Sequence, residues 1–179
     1  MFVINRFVNW LTVCDNRMFL IVNKQWRCRL FDFSLPKITH LGGAPFCLTL
    51  LFLLMILFSN SLRYSAFVAL LSIVASQVTV QLIKKFSCRK RPYIILPDVY
   101  TCSNPLKDYS FPSGHTTAAF SIAIVFAYYY PWLLPTLLPL AILVGLSRMY
   151  LGLHYPTDCI IGALIGSISS LVAILIFSH

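Results

Sequence analysis

The chain has 179 residues, of which 59% are hydrophobic and 11% charged, with a net charge of +9. A soluble domain carries about 25% charged residues, so an ordinary water-soluble fold is excluded and lipid is the expected solvent. The length fits one domain. No basic aromatic patch stands apart from the apolar runs, which sets nucleic acid aside and leaves anionic lipid as the partner of the excess positive charge.

Residues 1–41 mix Asp15, Arg17, Lys24, Arg27, Arg29 and Asp32 with Phe19, Leu20, Ile21, Trp26, Leu30 and Phe33. This segment is too polar to span a bilayer. It predicts one or two helices lying in the interface, or packed as surface helices on the rest of the chain. It also lacks the apolar stretch and small-residue cleavage site of a signal peptide.

Residues 42–179 predict a membrane-embedded domain. A bilayer core requires about 20 apolar residues per helix. Five such stretches follow, at about 42–59, 64–84, 114–130, 132–148 and 156–177. The expected fold is an all-α polytopic membrane helix bundle of about five transmembrane helices plus the N-terminal interfacial segment. No charged residue lies between His115 and Arg148, so the third and fourth stretches form a hairpin whose turn is Tyr130-Pro131-Trp132. Ser72, Ser76, Gln77, Thr79 and Gln81 are embedded in the second stretch. Gly162 and Gly166 form a small-xxx-small pair on the fifth, which favours packing within the bundle over dimerisation; the sequence sets no oligomeric state. Six cysteines show no Cys-x-x-Cys and no metal-ligand spacing. Cys88 and Cys102 share one loop and can pair in an oxidising compartment.

Three polar clusters sit at the ends of these stretches. Lys84 and Arg91 are seven residues apart, on one face if the second helix continues, and Pro92 then ends it. Lys85, Arg89 and Lys90 read as headgroup anchors. In the second cluster, Ser113 is placed as an N-cap behind Pro112, and Gly114 lets backbone approach a ligand. The following helix N-terminus suits a phosphate, and His115 can protonate a leaving alkoxide. In the third, Arg148 closes the fourth helix, His154 sits in the loop, and Asp158 lies in the first turn after Pro156. Asp158 can accept a hydrogen bond from one ring nitrogen of His154 and leave the other free to attack phosphorus. Each cluster alone suits a headgroup anchor equally well. Followed helix by helix, all three fall on one membrane face, whereas independent anchors would scatter over both.

The series Lys84…Arg91-Pro92, Pro112-Ser113-Gly114-His115 and Ser147-Arg148…His154…Asp158 resembles the phosphatidic acid phosphatase type 2 superfamily, which includes vanadium haloperoxidases. The motifs span residues 84–158, and the apolar layout extends the likeness to about 42–177. The resemblance implies an integral membrane lipid phosphatase of bacterial type. It implies His154 as nucleophile forming a phosphohistidine, Asp158 orienting it, and His115 protonating the leaving group. Lys84, Arg91 and Arg148, with Ser113 and the Gly114 backbone, are implied to bind phosphate. No metal or other cofactor is implied, three cations doing the charge stabilisation. Implied substrates are phosphatidic acid, phosphatidylglycerophosphate or undecaprenyl diphosphate. A lipid-linked phosphotransferase and a non-catalytic lipid-binding or transport protein are the alternatives. The loop over 87–111 is expected to decide headgroup fit, with Tyr93, Tyr100, Tyr109 and Phe111 either as wall residues or, the favoured reading, as simple interfacial aromatics. Of 14 Lys+Arg only Arg63 lies at the opposite face, so the positive-inside rule favours a site on the cytoplasmic side of a multi-pass cell-membrane protein.

Overall fold

The structure is a computed structural model that describes residues 2–102, 105 and 107–177, with backbone alone at 2–5, 7 and 8. Among the described residues the secondary structure is entirely helical. Helix α1 runs over Phe2–Leu20 and passes through a π-turn into α2, Arg29–Ile38. A 3-10 turn leads to α3, Ala44–Leu57, and then α4, Ser61–Ser87, follows. The one-turn helix α5, Pro92–Ile95, lies in a long loop before α6, Gly114–Tyr129; α7 is Leu134–Tyr150 and α8 is Pro156–Phe177.

All five expected stretches are helical. Three segments are long and apolar enough to cross a bilayer, and a fourth span arises if α2 and α3, bent by 58° at their junction, are taken together. Helix α6, at 16 residues, is shorter than a full span. It is also the centre of the bundle, packed against α4, α7 and α8. Its buried residues are mainly small, including Ala118, Ala119, Ser121 and Ala123, so neighbouring backbones come close. Where α8 crosses it, a Cβ on Gly162 would lie 2.6 Å from Ser113 O, and one on Gly166 would lie 2.4 Å from Thr117 O. The glycine pair is thus spent on the α6–α8 contact.

Between helices the apolar chain has little hydrophobic driving force in lipid, and polar contacts matter more. Ser72 meets Ser170 at 2.9 Å, Ser76 meets Ser121 at 3.2 Å, and Ser170 donates to Ser121 O at 3.0 Å. This serine ladder ties α4, α6 and α8 together. At the α3–α4 turn, Asn60 takes a positive φ of 60° with ψ −131°. Arg63 then caps the end of α3 by donating to Met55 O and Phe58 O. Outward faces carry Ile56, Val74, Val78, Ile160, Leu164, Ile168 and Leu175, all exposed, as a lipid-facing surface requires.

The N-terminal segment packs against α7 and α8. Asn23 is fully buried; its side chain donates to Tyr100 O and Tyr150 O, both at 2.8 Å, and accepts from Tyr100 N at 3.0 Å. The Arg27 guanidinium lies between the Tyr100 and Tyr150 rings, 4.6 and 4.2 Å from their centroids. Phe19 packs on Tyr155 with centroids 5.8 Å apart. All six cysteines are free thiols, so the pairing that one loop allowed to Cys88 and Cys102 is not formed.

Candidate active site

The end of α4, the start of α6, the end of α7 and the start of α8 meet at one end of the bundle. Helix α4 stops at Ser87 because Cys88 enters the left-handed region, with φ 48° and ψ 25°. Arg91 is therefore not on α4, as the seven-residue spacing suggested. It is the N-cap of α5, and Pro92 opens that helix rather than ending the previous one. The loop nevertheless returns Arg91 to Lys84, because both cations bind Asp108.

Arg91 is completely buried and fully engaged. Its Nε donates to Asp108 O at 2.8 Å, Nη2 to Asp108 Oδ1 at 2.5 Å and Nη1 to Leu153 O at 2.8 Å. Lys84 Nζ donates to the other Asp108 oxygen. Asp108 itself is half exposed, with 49% of its side chain accessible, so it is the movable member of the trio. Burial would push its carboxyl up, but the Lys84 hydrogen bond and the charges of Arg91 and Lys84 outweigh that and hold its pKa below the ordinary carboxylate value.

His154 is buried in the loop between α7 and α8, and its Nε2 lies 3.1 Å from Arg91 Nη1. A guanidinium only donates, so Nε2 must be the unprotonated nitrogen and Nδ1 carries the hydrogen. Nδ1 faces Asp158 Oδ2 at 3.6 Å, which is outside hydrogen-bond distance. The direct bond expected between the pair is therefore not made, and Nδ1 has no hydrogen-bond partner among the described residues. Burial pushes the imidazole pKa down to about 4 against the pull of Asp158, with Arg91 and Arg148 adding to the fall.

Asp158 is instead held by other groups. Oδ2 accepts from Tyr155 N at 2.8 Å and from the Ser110 hydroxyl, and Oδ1 accepts from Arg89 Nη1 at 2.6 Å. Arg89, expected to reach for headgroups, turns inward and also donates to Asp15 of α1 at 2.6 Å. Backbone joins the two helix starts, since Ser113 N donates to Asp158 O at 3.0 Å. Ser113 occupies the N-cap position of α6 with extended backbone, but its hydroxyl makes no cap and accepts from Thr116 Oγ1 at 3.0 Å.

Arg148 is buried at 3% exposure. One terminal nitrogen donates to Thr39 Oγ1 at 2.7 Å, while Nε and Nη2 have no partner among the described residues. Two unsatisfied buried guanidinium donors call for an anion. His115 stands in the field of Arg148, His154, Lys84 and Arg91.

A cavity of about 640 Å³ opens here, lined by Lys84, Arg91, Asp108, Gly114, His115 and His154 at one end. Ser113, Arg148 and Asp158 are not among the lining residues. Towards the bundle middle it is lined by Ala44, Cys47 and Leu48 of α3 and by Val74, Gln77, Val78, Gln81 and Leu82 of α4. Tyr93, Tyr100, Tyr109 and Phe111 are not among the lining residues, which agrees with their reading as interfacial aromatics; the α3 and α4 faces form the wall instead. Among the described residues of that loop, Arg91 and Asp108 line the cavity. Asp108, Asp15 and Arg89 escaped motif reading. The available signal was scarcity: the chain has only five carboxylates, and those in an apolar chain seldom lack a role.

The sequence model of the PAP2 superfamily matches residues 65–179. LpxE of Aquifex aeolicus, known from a crystal structure, is 32% identical, with a TM-score of 0.81 over 90% of this chain and 95% of that one. An undecaprenyl-diphosphatase of Sulfolobus acidocaldarius is 32% identical over 60% of this chain and 53% of its own length. Phosphatidylglycerophosphatase B of Bacillus subtilis is 32% identical over 72% of this chain and 66% of its own. The chain thus spans between about half and two thirds of these two curated relatives.

Proposed function

The chain belongs to the PAP2 superfamily, and from that footing we propose that it is an integral membrane phosphatase acting on the phosphomonoester or diphosphate of a membrane lipid. The observation that carries this reading is the buried His154, which lines the same cavity as Lys84, Arg91 and His115 with Nε2 unprotonated and held by Arg91 until a phosphate takes over that guanidinium. A phosphate drawn to the cations meets a nucleophile that is neutral at physiological pH.

In the proposed cycle His154 Nε2 attacks phosphorus and the P–O bond to the leaving group breaks. That electron pair goes to the departing oxygen, which takes a proton from His115, protonated in the substrate complex because the bound phosphate dianion offsets the surrounding cations. As the imidazole gains positive charge, Nδ1–H closes on Asp158. Water, deprotonated by His115, then attacks the phosphohistidine, releases inorganic phosphate and regenerates both histidines. Lys84, Arg91 and Arg148 balance the oxyanion charge, with Ser113 and the Gly114 N–H at the helix start. No metal takes part in these steps.

Substrates resemble those named for the relatives, phosphatidylglycerophosphate and undecaprenyl diphosphate, and phosphatidic acid shares the chemistry. A panel of these lipids in detergent with EDTA tests the reading. Phosphate release that persists with EDTA and disappears in His154→Asn is expected; release equal in that variant would remove His154 as nucleophile. Preferential transfer to an added alcohol would instead mark a phosphotransferase. Charge asymmetry favours a cytoplasmic site. Single cysteines placed at positions 60 and 107 and probed with an impermeant reagent on intact cells test this, since labelling at 107 alone contradicts it.

A further inference from the structure

The family match begins at residue 65, yet a carboxylate from α1 is built into the site. Asp15 is buried at 4% exposure. Its Oδ1 accepts from Thr157 N at 2.9 Å, and its Oδ2 accepts from the Thr157 hydroxyl at 2.5 Å and from Arg89 Nη2 at 2.6 Å. The other terminal nitrogen of Arg89 donates to Thr157 Oγ1 at 2.8 Å and to Asp158 Oδ1 at 2.6 Å. The Arg89 guanidinium also lies 4.0 Å above the Tyr155 ring. A chain of alternating charge thus runs from Asp15 through Arg89 and Asp158 to His154.

We infer that Asp15 is a positioning residue for the reaction, acting through Arg89 and Thr157 on Asp158, so that the N-terminal helix completes the active site. The inference rests on the phosphatase reading. Two physical effects support it. First, Asp15 binds an N–H in the first turn of α8, a group with no partner inside its own helix, and so fixes the turn that carries Asp158. Second, Asp15 offsets the charge of Arg89. Without that offset, Arg89 would concentrate on Asp158 and oppose the positive charge that His154 must gain as it attacks phosphorus. Substrate phosphate meets neither Asp15 nor Arg89 within the cavity lining, so binding should be spared while chemistry suffers.

The test uses the full-length protein in detergent with one lipid phosphate substrate, comparing wild type, Asp15→Asn and His154→Asn. Outer partners of oriented histidines cost about 10–100-fold when removed. The expected result for Asp15→Asn is a loss of about tenfold or more in kcat with KM within about twofold of wild type. The acid limb of its kcat/KM profile should move to lower pH, because removing a negative charge disfavours protonated His154. Loss of folded protein alone would lower apparent kcat at constant KM but would leave the acid limb in place, so the limb is the readout that separates positioning from folding. Wild-type kcat in a folded Asp15→Asn variant overturns the inference while leaving the phosphatase reading intact. A wild type inactive on every lipid phosphate overturns both. Should Asp15→Asn fail to fold, Arg89→Gln breaks the ionic link between Asp15 and Asp158; a kcat loss with KM retained is expected, and an unchanged kcat overturns the inference.

Discussion

Asp108 occupies the two cations, Lys84 and Arg91, that the proposed mechanism assigns to substrate phosphate. A phosphate must therefore displace a carboxylate before it can bind. Half exposure lets Asp108 leave, whereas the buried Arg91 stays in place. In Asp108→Asn the competing charge is gone, and inorganic phosphate should inhibit at a concentration about tenfold lower, each tenfold being about 1.4 kcal/mol. Unchanged inhibition would mean that Asp108 does not share the phosphate site. His154 supplies a second expectation. With its folded pKa near 4, against about 6.5 for a free imidazole, the nucleophile is neutral down to mildly acidic pH, so the acid limb of kcat/KM that belongs to it should fall near 4. The same shift affects stability. Between about 6.5 and 4 the unfolded chain binds a proton at this residue that the folded chain does not, so its share of stability is complete above that window and is lost as pH falls through it. Lys84, Arg91, His115, Arg148 and His154 were picked out in sequence by their spacing and by their place at the ends of apolar stretches. Asp108, Asp15 and Arg89 were not, because their meaning comes from loop and helix contacts as distant as Asp15 to Thr157, which spacing does not encode.

Helices were legible for the same reason that the bundle holds. The hydropathy pattern gave five apolar stretches, and each became a helix. Local spacing failed where backbone leaves the helix: Cys88 takes a left-handed conformation, so Lys84 and Arg91 meet across a loop rather than along a face. The glycine pair on α8 was readable as a packing device, and the structure identifies its partner as α6. Since a Cβ at Gly162 would meet Ser113 O at 2.6 Å, a side chain there must push α8 away from the turn carrying Ser113, Gly114 and His115. Overpacking of this kind costs about 1–3 kcal/mol. Gly162→Val should therefore lower the melting temperature in detergent and reduce kcat together, while Ile168→Val on the exposed face of α8 should change neither. Equal melting temperatures for wild type and Gly162→Val would argue against close α6–α8 contact.

At the scale of the whole molecule, the cavity runs from the cation cluster at one end of the bundle to apolar side chains between α3 and α4. Its lower walls include Val74, Val78 and Leu82, all about half exposed on the lipid-facing side of α4. Such a channel suits a molecule whose phosphate sits at headgroup level while its hydrocarbon remains in the bilayer, because neither part need enter the other's solvent. A soluble phosphomonoester needs only the charged end. Blocking the side between α3 and α4 should therefore separate the two substrate types. In Val78→Trp the indole adds bulk at the lateral opening, about two helical turns from Lys84, and touches none of the groups proposed to bind phosphate. Turnover of a long-chain lipid phosphate is expected to fall about tenfold or more, as a raised KM, while a small aryl phosphate keeps its kcat/KM within about twofold. Equal losses on both substrates would mean that the lateral walls shape the catalytic end rather than the path to it. Equal retention on both would mean that lipid reaches His154 by a path other than the opening between α3 and α4.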